Sequence, residues 1–271
     1  MILYHAPCCI NSQRLRIAMT EHGLSWDSQL INITMGEQYH PEYLNINEHG
    51  TVPTFIIGDN KFTNTRDSIQ YIYQHYRETA GDIKGNIKYD HTLCHDWMQR
   101  IAHFDSRLFI YGHLPRRKKK RALRLLEFKL DMLTKYMLDF PELENHYADK
   151  ANDIDNLRAC MISPSAVEKT EEYLLRMLDK AEEQLTKTPY LAGDHFSGAD
   201  AMLVPLLCSV KKLKCGKWIK RRGALFDYFS RIKKRAAYQV AIASYERFLP
   251  SLKWKLATWW HMRRKKWSGR Y

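Results

Sequence analysis

The sequence predicts two structural parts, an α/β part at the N-terminus and an all-α part behind it. Strand-like segments and tight-turn signals all fall before residue 65. From residue 89 onward, apolar residues instead recur at the three- and four-residue steps of amphipathic helices. The segment between them contains Gly81 and Gly85 and has no clear periodicity. We therefore expect an N-terminal domain at 1–78, a linker at 79–90, an all-helical domain at 91–251 and a basic, Trp-rich tail at 252–271.

The N-terminal part alternates strand and helix signals, and one small sheet covered by helices fits this order. Gly23 marks a plausible helix end, and Gly58 lies in a turn between two apolar runs. The predicted elements are a strand at 1–6, a helix at Asn11–Glu21, a strand at Trp26–Ile33, a short helical or irregular piece at Pro41–Asn47, a hairpin with arms at Thr54–Ile57 and Phe62–Thr63, and a helix at Asp67–Tyr76.

The C-terminal part contains only helical patterns, which predicts a bundle of helices. Ser163 and Pro164 give one of these helices a cap and a first-turn proline. The predicted elements are one long helix at Tyr89–Tyr111, a basic helix at Arg116–Met137, a polar loop at Asp139–Asp155, a helix from Pro164 to Leu185, and helices at Ser197–Leu213, Phe226–Lys234 and Ala236–Phe248.

A thiol, Cys9, lies where the first predicted strand meets the first predicted helix. A helix N-terminus carries unpaired N–H groups and the positive end of the helix dipole. Both favour a thiolate, which is the nucleophilic form of cysteine. Ser12 follows at Cys-x-x-Ser spacing, so this turn lacks the second cysteine of a dithiol motif. Cys8 is adjacent, but the geometry of bridged cysteines makes a vicinal disulfide strained.

Positive charge is concentrated in two segments of the chain. The 271 residues carry a net charge of +13, yet residues 211–271 alone carry +17 and residues 1–210 carry −4. Within the latter, the run Arg116–Arg124 contributes seven cations. Three interpretations remain open: a solvated basic face, an anionic membrane surface or nucleic acid. The Trp residues of the tail favour the membrane surface over nucleic acid, and neither segment matches a nucleic-acid-binding motif, so no specific nucleic-acid binding is expected.

The cysteines and the hydropathy indicate a compartment for the protein. The six cysteines lack the spacing of a disulfide framework or a zinc site, so we expect free thiols and no metal. Free thiols suit a reducing cytoplasm. No signal-peptide pattern opens the chain, and no stretch approaches the length of a membrane span. We expect a cytoplasmic protein that is peripheral at a membrane if the basic segments bind one.

Four motifs together resemble the glutathione S-transferase superfamily. Residues 9–14 (CINSQR) resemble the start of omega-class enzymes, and residues 51–54 (TVPT) resemble the segment that carries a cis proline. Residues 67–69 (DSI) resemble the acidic-Ser pair that opens the third helix. Residues 189–200 (PYLAGDHFSGAD) resemble the capping motif of the helical domain. The resemblance implies the glutathione S-transferase fold, a thioredoxin-like N-terminal domain followed by a helical C-terminal domain.

The details also resemble one branch of that superfamily. It contains the ganglioside-induced differentiation-associated proteins and, more loosely, the bacterial reductive dehalogenases and β-etherases. The long basic segment after the first C-terminal helix and the Ser-Gln before Arg14 carry this part of the resemblance. The resemblance implies a homodimer.

Glutathione is the co-substrate that the resemblance implies. Its cysteinyl backbone is expected to pair with Val52, beside a cis Pro53, in the manner of an added strand. Its γ-glutamyl end is expected near Asp67 and Ser68, because the first turn of a helix can hold a carboxylate and an acidic residue can hold the ammonium. Gln38 and His49 are expected to be two further glutathione contacts, on the basis of their positions in the sequence alone.

The expected chemistry uses Cys9 to form a mixed disulfide with glutathione, or to activate glutathione against a small electrophile. Omega-class enzymes have proline after the cysteine, whereas this chain has Ile10. An alternative therefore stays open in which Ser12 or Asn11 steadies a glutathione thiolate for conjugation or reductive dehalogenation. The wall of the electrophile pocket is expected on the first C-terminal helix, at Trp97, Arg100, Ile101 and Phe104.

Two classes of function follow. The first is an enzyme, a glutathione transferase or thiol transferase. The second is a binding or regulatory protein that keeps the fold with little catalysis, associated with a membrane surface through its basic segments. Ser197 and Asp200 are expected to be structural in both cases, as a helix capping box.

Overall fold

A computed structural model of the protein describes residues 1–76, 89–246 and Leu256. Most of the expected linker at 79–90 and of the basic tail at 252–271 lies outside the described residues. In the part of the chain that is described, no helix is long and apolar enough to cross a lipid bilayer.

A four-stranded mixed sheet is the framework of the N-terminal part. Its strands are β1 (Ile2–His5), β2 (Asp27–Leu30), β3 (Thr54–Ile57) and β4 (Asn60–Phe62), and they lie in the order β2-β1-β3-β4. β1 pairs with β2 in parallel, and the other pairs are antiparallel. The hairpin prediction is confirmed, and β2 is shorter than the alternating pattern from Trp26 to Ile33 predicts.

The helices of the described residues follow the apolar periodicity in most places. They are α1 (Ile10–Glu21), α2 (Pro41–Ile46), α3 (Thr65–His75), α4 (His91–Ala102), α5 (Ser106–Gly112), α6 (Arg116–Asp139), α7 (Glu144–Ile162), α8 (Pro164–Lys187), α9 (Gly198–Lys212), α10 (Lys217–Lys220), α11 (Gly223–Ile232), α12 (Ala236–Tyr238) and α13 (Ser244–Glu246). A π-helical segment, Gln239–Ala243, joins the last two.

α1 forms the crossover between the two parallel strands, as their parallel pairing requires. It is buried along nearly all its length, and its apolar residues include Leu15 and Met19. Gly23 follows the end of the helix with a φ of 65°. This left-handed backbone is one that glycine adopts without a steric penalty, so the predicted stop at Gly23 is confirmed.

The single long helix predicted at Tyr89–Tyr111 is wrong, because the chain forms α4 and α5 with a break at residues 103–105. Asp105 causes the break. Its carboxylate accepts a hydrogen bond from the Leu108 N–H at 2.8 Å and so caps a new helix. The apolar spacing continues across the break, which is why periodicity alone did not reveal it.

The loop predicted at Asp139–Asp155 is also wrong, because most of that segment belongs to α7. Four residues of this helix, spaced seven, three and four apart, are buried: Tyr147, Ile154, Leu157 and Met161. The other faces are polar, so the polar composition masked a helix with one narrow apolar stripe. α7 is held against α6 by this stripe and by the ion pair of Arg158 with Glu127.

The described residues form two compact units. The first contains the sheet, α1, α3 and α4, most of α8, and the helices from α9 onward. The second joins Asn32–Gly50 to Asp105–Glu171, and so combines α2 with α5, α6 and α7. Its core includes Leu44, Leu126, Leu133, Tyr147, Ile154 and Met161. The domain limits expected from the sequence stay predictions.

The start of α9 is fixed by a buried carboxylate. One oxygen of Asp200 accepts hydrogen bonds from the Ser197 N–H and hydroxyl at 2.8 and 2.7 Å. The other accepts from the Leu191 N–H at 3.1 Å and the Tyr228 hydroxyl at 2.8 Å. The capping box is confirmed, and the carboxylate also ties the preceding loop and α11 to the helix start.

We predict that Asp200→Ala lowers the free energy of unfolding by about 2 to 4 kcal/mol, because two backbone N–H groups and two buried hydroxyls lose their acceptor. Urea titration followed by circular dichroism measures this. The matched control is Asp194→Ala, which removes an exposed carboxylate from the same loop. Equal stability of the two variants would contradict the structural role of Asp200.

Candidate active site

Cys9 is the N-cap residue of α1, in the extended conformation that this position requires. Its carbonyl accepts the first bond of the helix, from the Gln13 N–H at 2.9 Å, and its own N–H donates to the Ala6 carbonyl at 3.3 Å. The side chain is partly exposed, while that of Cys8 is exposed. The predicted placement of a thiol at a strand-to-helix junction is therefore confirmed.

The Cys9 sulfur faces the turn before β3. It donates to the Val52 carbonyl oxygen at 3.7 Å, and the bond from Val52 to Pro53 is cis. The resemblance implied this cis bond, and the structure brings the two predicted features together. The thiol and the backbone just before the cis proline thus lie side by side within the first unit.

Ser12 and Asn11, the alternatives to the cysteine, have other partners. Ser12 is fully buried, and its hydroxyl oxygen accepts a hydrogen bond from the Ala6 N–H at 3.2 Å. Asn11 accepts from the Arg14 guanidinium at 2.8 Å. Both side chains therefore hold the turn that presents Cys9.

Two buried arginines on α1, Arg14 and Arg16, were not recognised as site residues from the sequence. Arg14 donates to the Met202 carbonyl of α9 at 3.0 Å. Arg16 donates to the Ala241 carbonyl at 2.9 Å and lies over the Tyr245 ring. The signal available in the sequence was the position of both cations inside a predicted helix, next to the apolar residues Leu15 and Ile17.

Arg16 also forms hydrogen bonds to the turn that precedes α1. It donates to the Pro7 and Ala6 carbonyls at 2.9 and 3.2 Å, and its guanidinium contacts the Nδ1 atom of His5 at 2.9 Å. Burial, aided by the Arg16 charge, lowers the pKa of His5 to about 3, so this imidazole is neutral at pH 7.

Two guanidinium charges lie near the thiol of Cys9. Burial lowers the pKa of Arg14 and of Arg16 to about 10, which leaves both guanidinium groups charged at neutral pH. Both are within Coulomb range of Cys9, and each would be stabilised by a thiolate there. Neither arginine forms an ion pair with a carboxylate in the described part of the chain.

Asp67 and Ser68 lie in the first turn of α3, as predicted, but Asn64 is the residue that caps it. The Asn64 carboxamide accepts from the N–H groups of Arg66 and Asp67 at 2.9 and 3.3 Å. Ser68 is buried and donates to the Asn64 carbonyl at 2.7 Å. Asp67 is exposed and pairs with Arg66. An asparagine three residues before Asp67 was the sequence signal for this cap.

Gln38 and His49 belong to the second unit. Gln38 lies in a single 3-10 turn, Glu37–Tyr39, and is 5% exposed, and its Oε1 atom has no hydrogen-bond partner among the residues that the structure describes. His49 is exposed, and its backbone N–H donates to the Asn47 side chain at 3.0 Å. Their roles toward glutathione stay predictions.

The four residues predicted to line an electrophile pocket separate into two groups. Trp97 and Arg100 line an open cavity of about 300 Å³ whose other wall comes from α8. Ile101 is fully buried, and Phe104 is 5% exposed and stacks on Tyr173 with ring centroids 5.9 Å apart. The last two are thus core residues of the first unit, which is the commoner role of apolar residues at helical spacing.

All six cysteines lie within the described residues and are free thiols. Cys94 and Cys208 are buried, and burial raises the pKa of each, that of Cys208 to about 11. Over the described ranges, no cluster of three or more metal-ligating side chains occurs.

Comparison with known proteins identifies the family. The glutathione S-transferase N-terminal domain matches residues 3–80, and the glutathione S-transferase C-terminal domain matches residues 164–231. Glutathione S-transferase TCHQD of Arabidopsis thaliana is 30% identical over 249 residues, which span 90% of this chain and 90% of that protein. The tetrachloro-p-hydroquinone reductive dehalogenase of Sphingobium chlorophenolicum is 29% identical over 243 residues, spanning 88% of this chain and 94% of that enzyme.

Solved structures agree on the fold. The crystal structure of a glutathione transferase from Populus trichocarpa matches with a TM-score of 0.65 over 91% of this chain and 99% of its own, at 19% identity. The sequence matches extend over the sheet that carries Cys9 and the helices that hold α1 in place. The chain belongs to the glutathione S-transferase family of enzymes.

Proposed function

We propose that this protein is a glutathione-dependent thiol transferase in which Cys9 is the nucleophile. The observation that carries the proposal is the position of the Cys9 sulfur, at the N-cap of α1 and 3.7 Å from the Val52 carbonyl. A helix N-terminus and two nearby guanidinium groups stabilise negative charge on that sulfur. Glutathione is the co-substrate throughout its family.

The proposed reaction has two exchange steps. The Cys9 thiolate attacks the glutathionyl sulfur of a mixed disulfide, which forms a Cys9–glutathione disulfide and releases the other thiolate to take up a proton. The thiolate of free glutathione then attacks this disulfide, which releases oxidised glutathione and regenerates the Cys9 thiolate. The bound substrate is reduced, and two glutathionyl groups leave as one disulfide.

The same nucleophile fits a second substrate type, an S-glutathionyl ketone or a glutathionyl aromatic. There Cys9 attacks the thioether sulfur, the carbon–sulfur bond breaks, and its electron pair goes to the carbon, which takes up a proton. The name of the Sphingobium chlorophenolicum relative, a reductive dehalogenase, favours small halogenated aromatics as the initial electrophiles. The glutathione-resolved Cys9 disulfide is common to both routes.

The serine alternative has less support in this geometry. Its hydroxyl would need to face the glutathione sulfur, whereas Ser12 is fully buried and engaged by the Ala6 N–H. The Cys9 side chain, by contrast, is partly exposed to solvent, and its sulfur lies next to the Val52 carbonyl. We therefore assign Ser12 to positioning the turn.

We further propose that glutathione pairs with the Val52 backbone beside Pro53 and that Asp67 holds its ammonium, because Asp67 is exposed and Ser68 keeps the first turn of α3 in shape. Gln38 and His49 are proposed as additional contacts. The family and the free thiols support a cytoplasmic homodimer, and Trp97 and Arg100 remain candidates for the electrophile wall.

We predict that Cys9→Ala lowers the thiol-transferase kcat/KM at least a hundredfold, because alanine cannot form the mixed disulfide. The assay couples reduction of hydroxyethyl disulfide by glutathione to glutathione reductase. Cys8→Ala is the matched control and is expected to remain within about threefold of the wild type, since its side chain lies outside the turn hydrogen bonds.

Ser12→Ala distinguishes the alternatives in the same assay and in conjugation of chlorodinitrobenzene. Positioning by Ser12 predicts a partial loss in both. Full thiol transfer by Cys9→Ala, together with loss of activity in Ser12→Ala, would contradict the proposal. Glutathione-agarose retention without either activity would favour a binding protein instead.

We predict that iodoacetamide at pH 7 labels Cys9 before Cys94 and Cys208. Raising the pKa of a thiol to about 11 leaves only about one molecule in ten thousand as thiolate at pH 7, and burial blocks the reagent as well. Peptide mass spectrometry over a labelling time course measures the order. Faster labelling of Cys94 than of Cys9 would contradict this account of the active thiol.

A second candidate activity, binding to an anionic membrane surface, is favoured by the start of α6. Seven cations, all from Arg116 to Arg124, form no ion pair among the described residues, and no acidic residue lies in that first turn. Ile162, at the end of α7, is 63% exposed, and the adjacent Met161 carbonyl accepts from Lys119 at 3.4 Å. An exposed apolar side chain beside unpaired cations suits an anionic lipid surface.

Liposome cosedimentation tests this association. We expect wild type to sediment with vesicles that contain phosphatidylserine, and Arg116/Arg117/Lys118→Gln to sediment severalfold less. A control with the same charge change elsewhere, Lys135/Lys150/Lys169→Gln, is expected to behave as wild type. Cosedimentation of the chain without residues 252–271 shows how much of the vesicle binding depends on the tail. Equal recovery of every protein in the supernatant would reject membrane binding, and retention on RNA alone would favour nucleic acid.

A further inference from the structure

The guanidinium of Arg16 lies over the ring of Tyr245. Its central carbon is 3.9 Å from the ring centroid, well inside the limit of about 6 Å for a cation–π contact. Arg16 is fully buried, and Tyr245 is half-buried in α13, which follows the π-helical segment Gln239–Ala243. The ring therefore shields one face of the cation from water and stabilises its charge without an acidic partner.

Arg16 connects this C-terminal segment to the turn before α1. Its Nε atom donates to the Ala241 carbonyl at 2.9 Å, inside the π-helical segment. Its two terminal nitrogens donate to the Ala6 and Pro7 carbonyls at 3.2 and 2.9 Å. All three nitrogens of the guanidinium are thus used, so the turn and the C-terminal segment together set its position.

The carbonyl that binds Arg16 lies where regular helical bonding is interrupted. The backbone N–H groups at the end of the π-helical segment donate to the Gln239 and Ile242 carbonyls. A carbonyl oxygen has two lone pairs, and Ala241 directs one of them to the arginine. Single π-helical turns are frequent at functional sites, and this one coincides with the contact to α1.

The hydrogen bonds of Arg16 end on the backbone that carries Cys9. The Ala6 carbonyl accepts both from Arg16 at 3.2 Å and from the Cys9 N–H at 3.3 Å. The Cys9 sulfur in turn lies 3.7 Å from the Val52 carbonyl. A displacement of the guanidinium would therefore shift the turn and move the sulfur away from this position.

The other titratable groups around Arg16 leave its charge in place. Those found in the described residues come from β1, the turn and α13, and they are His5, Cys8, Cys9 and Glu246. The Nδ1 atom of His5 must accept the bond from Arg16, because a guanidinium can only donate. Glu246 is paired with Lys212 of α9. The contact of Arg16 with Tyr245 thus holds a cation that remains charged.

We propose that Tyr245 is a positioning residue for Cys9. Its ring holds the Arg16 guanidinium against the turn, which fixes the location of the Cys9 sulfur and keeps a positive charge close to it. The C-terminal segment from the π-helical turn to α13 would thereby control the reactivity of a thiol that lies more than two hundred residues earlier in the chain. The inference deepens the proposed function and rests on it, since Cys9 is the nucleophile there.

The rate of iodoacetamide labelling at Cys9, measured against pH by peptide mass spectrometry, tests this role without glutathione. Tyr245→Leu removes the ring, and Tyr245→Phe keeps it. We expect Tyr245→Leu to slow labelling at pH 7 about threefold or more and to move the half-maximal rate to higher pH, because less positive charge supports the reactive thiolate. Tyr245→Phe is expected to behave as wild type, since the ring alone makes the contact.

The matched control is Phe229→Leu, which removes a ring whose centroid lies 5.1 Å from the Lys233 amine in the same unit. We expect this variant to unfold at a lower temperature and to keep the wild-type pH profile at Cys9. The control separates a general loss of stability from a change in the turn. An equal shift of the profile in Phe229→Leu, or in Tyr245→Phe, would overturn the proposal.

An unchanged pH profile in Tyr245→Leu would also overturn it, and an inactive Cys9→Ala would then leave the proposed function standing. A shifted profile in Tyr245→Leu together with full thiol transfer by Cys9→Ala would support the positioning role and contradict the proposed function. If Tyr245→Leu fails to fold, Tyr245→Gln replaces it under the same criteria. Failure of both to fold, with Tyr245→Phe folded, would assign the ring to stability alone and overturn the inference.

Discussion

The structure depends on the two buried arginines of α1. Arg14 reaches the Met202 carbonyl of α9, and Arg16 reaches the Ala241 carbonyl of the π-helical segment. These bonds tie the first helix of the sheet-bearing region to chain segments that lie 188 and 225 residues further along the sequence. Arg16 also fixes the Pro7 carbonyl, immediately before the two cysteines. Arg16 therefore helps to fix the turn that carries Cys9.

Arg14 and Arg16 donate to neutral backbone carbonyls, and this affects the electrostatic field near Cys9. Backbone carbonyls satisfy the hydrogen-bonding groups of a guanidinium but carry no net charge, whereas a carboxylate would cancel its field. The positive charge of Arg14 and Arg16 is therefore left to act on the nearby thiol, in a region where burial reduces screening. The neutral His5 adds a hydrogen-bond contact without adding charge. The same residues stabilise the fold and place positive charge near Cys9, the proposed nucleophile.

The sequence alone predicted those features that depend on local chemistry. Cys9 at a strand-to-helix junction, the hairpin and the Asp200 cap each follow from nearby residue types. The break before α5 depended on one capping residue, Asp105, inside an unbroken apolar pattern. α7 was missed because its apolar stripe is narrow and its remaining residues are polar.

Long-range partners explain the remaining misses. The Met202 and Ala241 carbonyls, which accept hydrogen bonds from Arg14 and Arg16, come from distant segments, and no local pattern reveals them. Asn64 is the exception, because an N-cap three residues before Asp67 could have been read from the sequence.

The central claim is that the Cys9 sulfur is the atom that carries glutathione. The most direct measurement exposes the protein to one equivalent of oxidised glutathione at pH 7 and locates the adduct by mass spectrometry of peptides that separate Cys8 from Cys9 by fragmentation. The account predicts one glutathionyl group per chain, on Cys9, removed by added glutathione. An adduct mainly on Cys8, or none on either residue while another cysteine is modified, would contradict it.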